Sequence, residues 1–160
     1  MRLVVGVAGG IAVIALWLLG MYFLASGDPG PRGAVAVKAS GEHMLVRLKA
    51  CGAAPNVMSV YLTSAANVHQ HLWLIESPQG SARDAYVVGD APLDFIQSVA
   101  LQTSLMPGTR YYLNATQPAD RPLGLPGVVF DPGDLREDRW LVSRGRTLTD
   151  AELDHLNPCD

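Results

Sequence analysis

His43-Met44-Leu45-Val46-Arg47-Leu48-Lys49-Ala50-Cys51 is the stretch on which the reading of this chain turns. Met44, Val46 and Leu48 fall on one side of an extended backbone, and Arg47 and Lys49 on the other. Successive side chains of a strand point to opposite faces of a sheet, so this is the pattern of a strand with one face in a core and one in water. Shorter runs of the same kind lie on both sides of it. Ala34 to Ala39 is β-compatible, and Met58, Val60 and Leu62 share a face in the next candidate strand. His71 to Glu76, Ala85 to Val88, Phe95 to Leu101, Arg110 to Ala115, Gly127 to Phe130 and Arg139 to Ser143 complete the set. Gly, Pro, Asn and Asp clusters separate these runs, which predicts an all-β fold, an antiparallel β-sandwich or barrel. No βαβ alternation occurs, which disfavours a parallel nucleotide-binding sheet.

Leu105-Met106-Pro107-Gly108-Thr109-Arg110-Tyr111 resembles the L-x-P-G-T-x-Y stretch that leads into the sixth strand of fibronectin type III domains. Pro107-Gly108 turns the chain, and alternation then sends Tyr111 and Leu113 to one face. A Tyr at such a corner buries its ring while its hydroxyl bonds nearby backbone. Trp73 is the candidate for the large core residue that such sandwiches carry. The resemblance implies an immunoglobulin- or fibronectin III-like sandwich, but it covers seven residues, and the Pro/Gly-rich segment Gln117 to Gly133 is longer than a simple hairpin. Sandwiches of this type host many functions, so the match bears on fold rather than activity.

Leu3 to Ala25 contains no charged side chain. At about 1.5 Å per residue, a helix over this run is roughly 35 Å long, enough to cross a hydrocarbon core of about 30 Å. Trp17 and Tyr22 fall toward its outer end, where amphipathic rings favour the interface. A cleaved signal peptide is the competing reading, with Ala25-Ser26-Gly27 as the cleavage site, but its apolar region is usually only about 7–15 residues long. The expected organisation is therefore a transmembrane anchor over 1–26, a Pro/Gly linker over 27–33 and an extracytoplasmic domain over 34–160. Arg2 before the helix and Asp28 after it place the N-terminus in the cytoplasm by the positive-inside tendency. Cleavage would instead release the domain as a secreted protein. Gly6 and Gly10 form a GxxxG spacing that could bring two anchors together as a homodimer.

Thr149-Asp150-Ala151-Glu152 fits a capping box at a helix start. A short C-terminal helix through about Leu156, with Leu153 and Leu156 on one side, is expected to stop at Asn157-Pro158. The chain has two cysteines, Cys51 at the end of the alternating strand and Cys159 just after this helix. Outside the cytoplasm they are expected to pair as a disulfide, since there is no CxxC spacing to make either one redox-active.

A formal charge of −3 without a basic block argues against nucleic acid as a partner. His69-Gln70-His71 is the most suggestive polar cluster. In a regular strand the two imidazoles share a side and could approach one metal ion, and His43-Met44 and Met58 would add ligands that suit copper. No GxSxG elbow or HExxH motif occurs. Glu76, Asp84, Asp90, Asp94, Asp131 and Asp134 fall mostly beside Gly or Pro, as turn-making and solvated residues do. Asp131-Pro132-Gly133-Asp134 reads as a tight turn rather than a calcium loop. Asn114-Ala115-Thr116 satisfies the glycosylation sequon within a predicted strand. Arg136, Arg139, Arg144 and Arg146 could form a modest basic patch toward a membrane or partner, or simply a solvated strand face.

Taken together, these features predict a non-enzymatic binding or assembly module of the cell envelope, with an unidentified envelope protein as partner and no cofactor. The alternative is an exported copper- or zinc-binding protein using His69 and His71.

Overall fold

The computed structural model describes residues 33–51, 54–118 and 125–158. The anchor expected over 3–25, most of the linker, Gly6, Gly10 and Cys159 lie outside the described residues. Among the described residues, no helix is long and apolar enough to cross a membrane.

Among the described residues, ten strands form two antiparallel five-stranded sheets. They are β1 (Gly33–Ser40), β2 (His43–Ala50), β3 (Val57–Ser64), β4 (Asn67–Ser81), β5 (Ala85–Val87), β6 (Ile96–Val99), β7 (Tyr111–Thr116), β8 (Val128–Phe130), β9 (Trp140–Val142) and β10 (Thr147–Leu148). A short α-helix, α1 (Asp150–Asp154), follows them. The first sheet has the order β10-β9-β1-β2-β5 and the second β6-β4-β3-β7-β8.

The alternation seen in the sequence builds the interior. Val46 and Leu48 of β2 join Val35 and Val37 of β1 and Tyr86 of β5, and face Val60, Leu62, Trp73, Ile75, Leu113 and Phe130 from the other sheet. All are buried, and Met44 packs against them. The architecture is thus sandwich-like, two sheets closing over one core. Each fully buried aliphatic chain contributes on the order of 1.5–3 kcal/mol against exposure.

A second core occupies the outer face of the first sheet. Ala36, Trp140, Val142 and Leu148 project there and are covered by Leu153, with Leu45 and Leu156 at the margin. β1 is consequently apolar on both faces, and Ala34 to Val37 are all buried. Helix α1 forms because Thr149 accepts the Glu152 N–H while the Glu152 carboxylate accepts the Thr149 N–H, satisfying two amides at its start. Burial of Leu153 holds a helix too short to persist alone.

Several expected strands change length. β4 runs from Asn67 to Ser81 rather than only His71 to Glu76, because bulges absorb residues that break its register. Thr63 pairs with His71 and Ser64 with Asn67, so Val68, His69 and Gln70 are extra residues on one side of the ladder. The sixth strand spans Ile96–Val99 instead of Phe95 to Leu101, since Phe95 is drawn into the core ahead of it.

Candidate functional site

The sequence-predicted residues can be placed first. His69 and His71 are both exposed on β4, His69 within the unpaired stretch and His71 within the ladder. The His71 ring packs edge-on against Tyr61, with centroids 5.0 Å apart. His43 and Met44 belong to β2 of the opposite sheet, and Met44 packs on the core. Among the described residues, no group of three or more His, Cys, Asp or Glu is placed to hold a metal ion. The register shift between Thr63 and Ser64 places His69 in the bulged stretch, so the two-residue alternation of a regular strand does not by itself set where His69 and His71 point.

Trp73 is fully buried in the main core, and its Nε1 has no hydrogen-bond partner among the described residues. Tyr111 is buried, and its hydroxyl accepts the Met106 N–H at 3.0 Å. Gly108 permits this corner by adopting φ +82°, a conformation that costs an L side chain steric strain. Its N–H donates to Asp131 Oδ1 at 2.9 Å. The same oxygen accepts the Gly133 N–H, and Pro132–Asp134 forms the expected tight turn. The Asn114 amide of the sequon donates to both Tyr61 and Tyr112 hydroxyls on half-buried sheet surface. Desolvation, with Tyr61 adding to it, raises the Tyr112 hydroxyl above its ordinary pKa.

Cys51 directly follows β2, and no cysteine among the described residues is free. The side chains two and four positions before it reach the C-terminal helix: Lys49 Nζ donates to the Asp154 carbonyl at 2.9 Å, and Arg47 pairs with the Asp154 carboxylate at 2.7 Å. Lys38 pairs with Asp150 at 3.1 Å and sits 4.7 Å from the centre of the Trp140 ring. These contacts clamp α1 over the outer core.

The concave feature of most interest is a groove of about 480 Å³ beside that tyrosine corner. Arg110, Arg136 and Arg139 line it, around apolar surface from Val129, Leu135 and Leu141, with Phe130 buried behind. β8 and β10 are the outer strands of their respective sheets, so the groove opens where the two sheets end side by side. The three arginines are exposed, and none makes an ion pair among the described residues. Arg139 and Arg146 do contribute, after the Thr149 hydrogen bonds, to holding the Glu152 carboxyl below its ordinary range. Asp131 and Asp134 also border the groove. Asp131 Oδ1 accepts both corner amides, but the carboxylate keeps its charge, so the two aspartates together offset part of the arginine charge.

Arg136 and Arg139 were visible in the sequence as part of a basic run, whereas Arg110 was not associated with them. It reaches the groove because the residue before Tyr111 must point away when Tyr111 points into the core. Chemically, the arrangement offers planar, permanently charged donors around a greasy floor, which suits binding of carboxylate or phosphate oxygens attached to an apolar body. No protein-family model matches the chain, and neither does any curated protein or solved structure.

Proposed function

We propose that this chain is a membrane-anchored, non-enzymatic binding module of the cell envelope whose sandwich domain stands outside the cytoplasm and binds through the arginine-lined groove. The observation carrying this reading is that Arg110, Arg136 and Arg139 converge on one concavity without ion-pair partners among the described residues. Asp131 and Asp134 border the same concavity, so three guanidinium groups outnumber two carboxylates there, and the surplus positive charge fits an external counter-charge. Export is supported by the uncharged run Leu3 to Ala25 and the charge bias across it.

An immunoglobulin- or fibronectin III-like identity for the sandwich is part of the same proposal. It is supported by the Tyr111 hydroxyl bonding backbone five residues upstream and by the sheet orders β1-β2-β5 and β4-β3-β7-β8. A Cys51–Cys159 disulfide is proposed with it. Residues 47, 49 and 51 alternate outward, the first two already hold Asp154, and four residues lie between Asp154 and Cys159.

The test is crosslinking in intact cells. A photoreactive residue at Thr147, on the groove rim, should give a discrete adduct with an envelope protein, and protease added outside the cytoplasmic membrane should reach the domain. Absence of an adduct at Thr147 together with adducts at a control position such as Val68 would overturn the groove as the binding surface. Protection from external protease would overturn the location.

A further inference from the structure

We propose that the groove accepts an acidic, amphipathic peptide segment of its partner, with carboxylate side chains on Arg110, Arg136 and Arg139 and an apolar side chain seated between them on Leu135 and Leu141. This deepens the proposed binding role and rests on it. Guanidinium groups pair carboxylates through two parallel hydrogen bonds, and three of them around one concavity call for spaced acceptors. The floor calls for something apolar as well: Val129 is an exposed hydrophobic residue, Leu135 and Leu141 are half-buried, and all three border the groove.

Asp134 decides between a peptide and an anionic membrane surface. A free carboxylate on the rim repels a dense array of phosphates, as in a lipid headgroup layer. Against a peptide it costs little, because a backbone N–H or a basic side chain can meet it. The mixture of three cations, two carboxylates and an apolar floor therefore reads as a pattern to be matched rather than a field to be neutralised. A concavity of about 480 Å³ is of the size that encloses a few side chains.

The experiment uses the full chain in neutral-detergent micelles, probed with a synthetic array of random hexapeptides and with vesicles containing phosphatidylglycerol. Selected peptides should carry two or more Asp or Glu residues flanking an apolar one. Their affinity should fall about five- to tenfold with each of Arg110→Gln, Arg136→Gln and Arg139→Gln, and steeply with salt. Circular dichroism of each variant should match the parent, since these side chains are exposed. Selection without acidic enrichment, equal binding by the triple Gln variant, or binding to anionic vesicles with no peptide selected would each overturn the proposal. The two readings fail separately. If peptides fail but the triple Gln variant also loses the Thr147 crosslink, the groove remains the binding surface and only the ligand class falls. If the crosslink survives in that variant, the groove itself is wrong.

Discussion

Trp140 donates its indole N–H to Asp150 Oδ1 at 2.6 Å, joining an aromatic residue of the outer core to the first residue of the C-terminal helix. Lys38 reaches the same carboxylate while lying over the Trp140 ring, so one charge anchors both the helix and the sheet beneath it. The hydrogen bond from Trp140, followed by that from Lys38, holds the Asp150 carboxyl below its ordinary value of 3.8. A group whose pKa is lower folded than unfolded contributes stability above the unfolded value, and the contribution is lost as pH falls through the folded one. Asp150→Asn should therefore lower the denaturation midpoint at about pH 7, and the difference from the parent should shrink as pH falls below the ordinary carboxylate value of 3.8. Tryptophan fluorescence during urea titration across this range checks this, and a difference that does not shrink in acid would contradict it.

Leu153 is the fully buried member of α1, whereas Leu156 is only half-buried at the edge of the same cluster. Leu153→Ala should cost about 2–4 kcal/mol through lost contacts and a cavity against Trp140 and Val142. Leu156→Ala should cost about 1 kcal/mol, because water already reaches it. Equal losses at the two positions in chemical denaturation would mean that the helix is not packed as described.

At the tyrosine corner, Tyr111→Phe keeps the ring in the core and removes only the acceptor for the Met106 N–H. Met106 is exposed, so water can satisfy the freed amide, and the expected cost is at the lower end, about 0.5–1 kcal/mol. Faster hydrogen exchange at the Met106 amide is the accompanying signature. Unchanged exchange there would show that the hydroxyl does not hold the corner.

If Cys51 and Cys159 are bonded, the bridge closes a loop of more than a hundred residues. Chain entropy then assigns it about 2–5 kcal/mol. Cys51→Ser and Cys159→Ser should lower stability equally, the double variant should add nothing further, and reductant should affect only the parent. Additive losses from the two substitutions would rule the bridge out. Mass spectrometry of a non-reduced digest reads the same pairing directly.

Several features were legible from sequence because they depend on neighbours along the chain. Met44, Val46 and Leu48 declare an inward face through the two-residue period of a strand, and Thr149 with Glu152 declares a helix start through local amide satisfaction. The side-by-side placement of Tyr111 and Leu113 in the core follows from the same period. Contacts between distant segments were not legible. The bulges that lengthen β4 and strand His69 outside its ladder arise from fitting β4 to β3, and neither strand's own pattern records that misfit. Trp140 and Val142 announce a buried face, but only packing shows that what covers it is α1 rather than the opposite sheet. Arg110 shares a groove with Arg136 and Arg139 because β7 begins beside the turn after β8, a juxtaposition set by the order of strands in space. By itself the sequence determined a chain of short antiparallel strands with a capped terminal helix, because period and capping are local. The second core and the groove were decided only by tertiary structure, which brings together surfaces that lie tens of residues apart in the chain.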